Sequence, residues 1–415
     1  AGIREALRRA VERGVSVRVI FETANDDRKD PQGTASAALE EQGMDVRYIN
    51  RIMHHKFVII DGPTDSFEAA RTGWLVSGSA NFSTSAGTRY DENTVITRGN
   101  EELLLTFQRE FNYLWTNSRD FSAGIEFEKV ETISITDEDL VADPNVQAAF
   151  TSGNFQIRNT SAGPSFTRVR GRQAVADTIV ALIEGAQDSI WIASGHLRSR
   201  PISEALIAKM ADNPLLDVRV YLDAQEYISD SKQRSQNEDL EECLTAAQTE
   251  LRRMDCLESG YYFSTDVREA GANMKFKWYS YRWHYSYAVQ MHHKYLIIDG
   301  NTVASGSYNL SANAEFATIE NIVIYSGAPY QGLVDAFEDN FNTLFETGED
   351  EGLFETLMDE IDNGASDRVA IVHLPMALRH SQVAAYRTAI GRACSDVNSA
   401  SFRRNPERHH SCSRR

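Results

Sequence analysis

Apolar residues recur at intervals of three and four in the stretch Phe107, Phe111, Leu114 and Trp115, and again in Phe337, Phe341, Leu344 and Phe345. That period marks a helix with one buried face. Upstream, polar and apolar residues alternate in Val15-Ser16-Val17-Arg18-Val19 and in Leu216-Asp217-Val218-Arg219-Val220, each behind a helix-period run that starts near Glu5 and Glu204. Both read as a helix followed by a strand, ending at Phe21 and Leu222. The same order of elements is thus written twice along one chain, and the predicted fold class is α/β. The second copy carries one unit more, a helix-period stretch from Ala174 to Ala186 and a short β-branched strand from Asp188 to Ser194. The first copy has no counterpart, because the sequence starts inside the following helix. The expectation is that residues precede Ala1 in the parent protein and that the first sheet lacks a strand.

With 415 residues, 42% of them hydrophobic, the chain can bury a large core and divides into two or three domains. No apolar run approaches the roughly 18 to 20 residues that a membrane-spanning helix needs. Lys and Arg number 42 against 60 Asp and Glu, a net charge of −18. That balance disfavours a protein that coats nucleic acid, where binding depends on cations neutralising phosphates, but leaves room for a local basic cleft. Four cysteines fall into two local pairs, Cys243 with Cys256 and Cys394 with Cys412. Two small disulfide loops in an oxidising compartment, periplasmic or secreted, are the favoured reading, and four free thiols fit the count nearly as well. Composition and register place a first repeat at residues 1–118, a connection at 119–165, a second repeat at 166–348 with an insertion at about 230–285, and a C-terminal extension at 349–415.

The chemistry is duplicated too. His54-x-Lys56-x4-Asp61 in the first half matches His292-x-Lys294-x4-Asp299 in the second. Each is followed by Gly-Ser-x-Asn, as Gly78, Ser79 and Asn81 and as Gly306, Ser307 and Asn309, and then, eleven positions after the asparagine, by Glu92 or Glu320. Residues two apart on a strand share a face, so each histidine lies beside its lysine, while His55 and His293 point the other way and read as structural. Paired imidazoles suit a phosphodiester: one attacks phosphorus and the other protonates the departing oxygen. Both roles fit an unperturbed pKa of about 6.5. The lysines and asparagines surround the phosphoryl oxygens with fixed donors. Glu92 and Glu320 orient the imidazoles from behind. Gly78 and Gly306 are expected to let backbone N–H groups approach the anion closely. No metal and no cofactor enters this scheme. A zinc site is a poor reading, since adjacent histidines diverge and the lysines repel a cation. Each copy supplies one histidine, so the site should form where the copies meet.

These paired cassettes resemble the phospholipase D superfamily, whose signature is a doubled HKD motif with Gly-Ser-x-Asn and a downstream Glu. The resemblance implies two repeats, each a mixed β-sheet flanked by helices, related by a pseudo-twofold axis. It further implies His54 as nucleophile, His292 as acid, and structural roles for Asp61 and Asp299. Between Asp61 and Gly78 the first copy is ten residues longer than the second, which is expected to form a hairpin loop at the cleft rim. The aromatic and basic stretch before the second motif contains Lys277, Trp278, Arg282 and Trp283 as candidates for binding substrate. Trp suits a lipid–water interface and Lys or Arg a phosphate headgroup. The same residues could instead stack bases of a single strand, or form a strand pair that packs its aromatics against the core. The expected function is hydrolysis or transfer on a phospholipid, or another phosphodiester, through a phosphohistidine. Peripheral contact with a membrane surface is expected, and no obligate protein partner. An endonuclease of the same superfamily and a non-catalytic module binding phosphate or a lipid headgroup are the alternatives.

Overall fold

The structure is a computed structural model that describes residues 2–22, 30–121, 125, 127, 130, 132–363 and 375–405. In the first repeat the helix Gly2–Glu12 (α1) leads into Arg18–Phe21 (β1), which pairs in parallel with Asp45–Tyr48 (β2) across a crossover containing the helix Ala35–Glu40 (α2). Val58–Ile60 (β3), Trp74–Gly78 (β4) and Thr94–Arg98 (β5) form an antiparallel sheet, followed by the helix Glu101–Thr116 (α3). Asn100 fixes the start of α3 by accepting from the Leu103 N–H at 2.9 Å, and Glu101 and Glu102 complement the positive end of the helix.

The second repeat is fuller. In chain order it comprises Val146–Phe150 (β6), the helix Ala174–Gly185 (α4), Ser189–Ser194 (β7), the helix Arg200–Asp212 (α5) and Asp217–Asp223 (β8). Helices Asp230–Ala246 (α6), Glu250–Leu257 (α7) and Ser264–Glu269 (α8) precede the strands Asn273–Trp278 (β9), Lys294–Ile298 (β10), Thr302–Gly306 (β11) and Asn321–Ser326 (β12). The helix Gln331–Phe345 (α9), the strand Met376–Arg379 (β13) and the helix His380–Ala393 (α10) complete it. Among the described residues these strands form one sheet in the order β13-β9-β8-β7-β10-β11-β12-β6. The strands β7, β8 and β9 are mutually parallel and the other pairings antiparallel, so β7 joins the two kinds of ladder. The first repeat has no described strand in that position. Six of its strands fall into two three-stranded sheets, one of β1, β2 and Arg119–Asp120 and the other of β3, β4 and β5, while Ile52–Met53 pairs with Thr318–Ile319 of the second repeat.

β6, β9 and β13 are among the strands that depart from the sequence reading, and the hairpin of Phe155–Thr160 with Gly163–Arg168 is another. β6 comes from the stretch read as a connection, β13 from the C-terminal extension, and β9 from inside the expected insertion at 230–285, which the sheet therefore divides into two loops. β9 escapes an apolar-pattern reading because it carries Lys275 and Lys277, both buried and both neutralised by partners. Lys275 donates to Phe345 O at 2.8 Å and pairs with Glu349 at 2.6 Å. The ten extra residues after Asp61 lie in the loop that joins the antiparallel strands β3 and β4, a hairpin loop as expected, and hold the 3-10 turn Phe67–Arg71, tied to α3 by Arg71 and Glu101 at 3.2 Å.

Packing explains how the repeats are held. One face of the large sheet, with Ile190, Ile192, Val220 and Leu296, packs on Val175, Ile179 and Ile183 of α4 and on Leu206 of α5. The other face, with Tyr295, Ile297 and Val323, packs on Phe337 and Phe341 of α9 and on Leu104 and Phe107 of α3. That second core contains side chains of both repeats, so burying it fixes one repeat against the other. Cys243 and Cys256 form a disulfide between α6 and α7, while the expected pair Cys394 with Cys412 falls partly outside the described residues. Among the described residues no helix is long and apolar enough to cross a membrane.

Candidate functional site

Two extended segments reach the interface from opposite repeats. Ile52–Met53 pairs in parallel with Thr318–Ile319, and the next N–H, that of His54, donates to Ile319 O at 3.1 Å. The related contact is a bridge between Asp91 and Met291, after which the His292 N–H donates to Asp91 O at 3.1 Å. Each backbone bond sets a histidine beside the glutamate of the other repeat. His54 Nδ1 lies 2.7 and 2.8 Å from the two carboxylate oxygens of Glu320, and His292 Nδ1 lies 2.6 Å from Glu92 Oε1. With Nδ1–H donated to a carboxylate, each Nε2 keeps its lone pair.

Lys56 and Lys294 are both buried, and each ammonium donates to the carbonyl of its own motif histidine, Lys56 to His54 O and Lys294 to His292 O, at 2.7 Å. Two further N–H bonds on each remain for an anion. Burial pushes Lys56 down to about 8 against the pull of Glu320 and Glu92. Burial and then repulsion from Lys56 lower Lys294 as well, while burial raises Glu92. His54 is lowered by burial despite Glu320, and His292 by burial and then by Lys294 and Lys56. Both imidazoles are therefore neutral at neutral pH before an anion arrives. The Oδ1 of Asn309 is buried with no partner among the described residues. Asn81 and Asn309 head matching tight turns, their carbonyls accepting from Ser83 N–H at 2.7 Å and Ser311 N–H at 2.6 Å.

Around this centre the serines serve the glutamates and the sheet. Ser79 Oγ donates to Glu92 Oε2 at 2.6 Å and accepts from Asn93 N–H at 2.9 Å, and Ser307 Oγ accepts from Asn321 N–H at 2.9 Å. The N–H groups that directly follow the glycines are engaged within the sheet. Ser79 N–H and Ser307 N–H donate across the ladder to Asn93 O and Asn321 O at 3.1 and 3.0 Å. Glycine is needed there because a Cβ at Gly78 or Gly306 would stand 2.3 Å from those same carbonyls. The motif aspartates part in their contacts. Both adopt left-handed backbone, with φ of 52° at Asp61 and 51° at Asp299. Asp299 accepts from the N–H groups of Gln187, Asp188 and Ser189 at 2.7 to 3.1 Å, holding the start of β7. Burial alone would raise Asp299, but these three donors outweigh it and keep the carboxyl below its usual range.

His55 and His293 face the core, as their position on the strand requires. His55 accepts from Asn321 Nδ2 at 2.9 Å and meets Glu110 at 3.3 Å, and His293 accepts from Asn93 Nδ2 at 3.1 Å. Asn93 and Asn321 thus stitch each repeat to the other, and Ser305 Oγ and Ser77 Oγ hold their amides at 2.8 and 3.2 Å. Sequence reasoning missed these asparagines, although each directly follows its glutamate in both copies.

The substrate candidates before the second motif are corrected in part. Trp278 is buried in the core against Tyr227 and Tyr386, because it ends a strand covered on both faces. Lys277 is buried and pairs with Asp91 Oδ2 at 2.7 Å, so it supports the residue that anchors His292. Arg282 donates to Asn398 Oδ1 at 3.1 Å, and Trp283 packs half-buried against the core. None of the four is drawn into the histidine pair's contacts. Tyr90 is: its ring centroid lies 5.9 Å from that of His292.

Comparison with known proteins gives three results. The family described as cardiolipin synthase, PLD-like domain, matches residues 1–115 and 179–345. Mitochondrial cardiolipin hydrolase of Danio rerio is 36% identical over 110 residues, 26% of this chain and 42% of that protein. The protein of the same name from Chlamydomonas reinhardtii is 32% identical over 105 residues, 25% of this chain and 41% of that protein. The chain thus spans about two fifths of the length of these curated relatives. Among solved structures, the phospholipase D family member Nuc from Salmonella typhimurium is 17% identical, covering 48% of this chain and 91% of that one with a TM-score of 0.30. Phosphatidylserine synthase from Haemophilus influenzae is 13% identical, covering 79% and 72% with a TM-score of 0.44.

Proposed function

The chain belongs to the family described as cardiolipin synthase, PLD-like domain, within the phospholipase D superfamily, and from that premise we propose that it hydrolyses or transfers a phospholipid phosphodiester through a phosphohistidine. The observation that carries the reading is the exchange of carboxylates between repeats: each motif histidine is oriented by the glutamate of the other copy, which brings both imidazoles to one interface. The phospholipid class rests on the curated relatives, which are named for cardiolipin.

In the proposed first step the lone pair of His54 Nε2 forms a bond to phosphorus as the bond from phosphorus to the alcohol oxygen breaks. His292 passes its proton to that oxygen. The bound phosphate monoanion favours this proton on His292, offsetting the repulsion of the two lysines. In the second step His292 takes a proton from water, or from a second alcohol, whose oxygen forms a bond to phosphorus while the phosphorus–nitrogen bond breaks. Lys56, Lys294, Asn81 and Asn309 hold the equatorial oxygens throughout, and their donors are effective because the site is largely closed to water. Water as acceptor gives a phosphatidic acid, and an alcohol gives the transfer product.

The test is an assay in EDTA of cardiolipin and phosphatidylcholine vesicles beside single- and double-stranded DNA. A denaturing quench and peptide mass mapping then locate any phosphorylated histidine. Lipid turnover with an adduct on His54 supports the reading. Cleavage of DNA alone makes the protein a nuclease, and vesicle binding without turnover or adduct makes it a binding module.

A further inference from the structure

The loop that leaves β7 carries a third histidine–glutamate pair, outside both motifs. Gly195 lies against the second motif, its N–H donating to His293 O at 3.2 Å, and a Cβ there would stand 2.9 Å from Met291 O. Three residues on, the Arg198 N–H donates to Leu310 O at 2.7 Å and Arg198 O accepts from Ala312 N–H at 3.3 Å. The intervening residues are therefore held between the His292 segment and the Asn309 turn. His196 and Arg198 both converge on Glu226, a fully buried carboxylate just beyond β8. His196 Nδ1 lies 2.9 Å from Glu226 Oε1, Arg198 donates to the same oxygen at 2.6 Å, and the Leu197 N–H donates to Oε2 at 3.2 Å. Burial by itself would raise Glu226, but His196 and Arg198 outweigh it and hold the carboxyl below its usual range. The guanidinium is stacked over the Tyr262 ring at 4.2 Å, which fixes its plane.

Glu226 engages Nδ1 of His196 as Glu92 engages Nδ1 of His292. That leaves His196 Nε2 and one terminal nitrogen of Arg198 without a hydrogen-bond partner among the described residues, on side chains 23% and 25% exposed. One carboxylate thus organises two cation-capable groups on a loop docked between the His292 segment and the Asn309 turn. We propose that His196 and Arg198 form a headgroup subsite for an anionic group, a carboxylate or a second phosphate, on the leaving alcohol. A planar guanidinium matches the oxygens of either anion, and an imidazole held by Glu226 donates to them from Nε2 when it takes up a proton together with the anion. The proposal rests on the phospholipid reading above and names the class of headgroup that the same site selects.

The experiment measures kcat/KM on phosphatidylserine, cardiolipin and phosphatidylcholine with matched acyl chains, for wild type, His196→Ala, His196→Gln and Arg198→Ala. The ratios of each anionic lipid to phosphatidylcholine should fall about tenfold or more in the two alanine variants, with partial recovery in His196→Gln. A fall for phosphatidylserine alone assigns the subsite to a carboxylate, and one for cardiolipin alone to a second phosphate. Unchanged ratios in active variants overturn the subsite while leaving the phospholipid reading intact. A wild type inactive on all three lipids overturns both. The wild type supplies a check that needs no variant: glycerol 3-phosphate or serine should inhibit competitively at lower concentration than choline. Equal inhibition by choline contradicts the proposal.

Discussion

Lys56 is a residue whose charge the site needs and whose burial makes that charge hard to keep. With its pKa pushed down to about 8, it is protonated below that pH and loses the cation above it. The value of kcat/KM, which reports the free enzyme, should therefore fall as pH rises through about 7 to about 8, as Lys294 and then Lys56 lose their protons. Lys56→Arg should move that alkaline limb upward, since guanidinium stays charged, and an unmoved limb would assign the titration elsewhere. The folding side has its own sign. Between about 8 and the ordinary lysine value of 10.5 the unfolded chain binds more protons than the folded one, so this residue's contribution to stability rises with pH across that window. Below it the burial cost is fully present. Lys56→Met should accordingly melt at a higher temperature than wild type at pH 7 while losing activity, and a lower melting temperature would contradict the assignment. His54→Asn and His292→Asn should each lower kcat on phospholipid by at least about a thousandfold, read in the same vesicle assay with folding checked by circular dichroism.

At the scale of elements, the close approach of β4 to β5 and of β11 to β12 demands glycine. Gly78→Ala should destabilise the protein by about 1 to 3 kcal/mol in urea unfolding, because its Cβ meets a backbone carbonyl that cannot turn away. Gly87→Ala, where a Cβ meets open space, should be neutral or slightly stabilising, and equal effects would remove the packing argument. The duplicated helices and strands were legible in the sequence because each buries one face, and that leaves a period. β9 was legible only as one of several readings of its stretch, because its lysines are neutralised by Glu349 and Asp91, which lie far away in sequence. β6 and β13 were not, because each is short and becomes a strand only by pairing with β12 and β9. The site residues themselves were legible by repetition. Which glutamate serves which histidine was not, since the pairing crosses between repeats and depends on where His54 and His292 dock their backbone N–H groups.

Across the whole molecule the two repeats are bound by a shared core, by the Asn93 and Asn321 amides and by the crossed carboxylates, all centred on the same interface. The α6–α7 unit stands apart from it, clamped by Cys243 and Cys256. A Cys243→Ser, Cys256→Ser double variant should lose up to about 3 kcal/mol of stability with kcat unchanged, and a lost kcat would tie that unit to the site. The carboxyl of each repeat completes the other repeat's imidazole, so neither half holds a full set of groups for one phosphorus atom. The most direct test is a crystal structure of the protein with vanadate bound. One vanadate contacted by the Nε2 atoms of both His54 and His292, with Lys56 and Lys294 on its equatorial oxygens, is the predicted result. An anion held by a single repeat, with the other imidazole out of reach, would contradict the account.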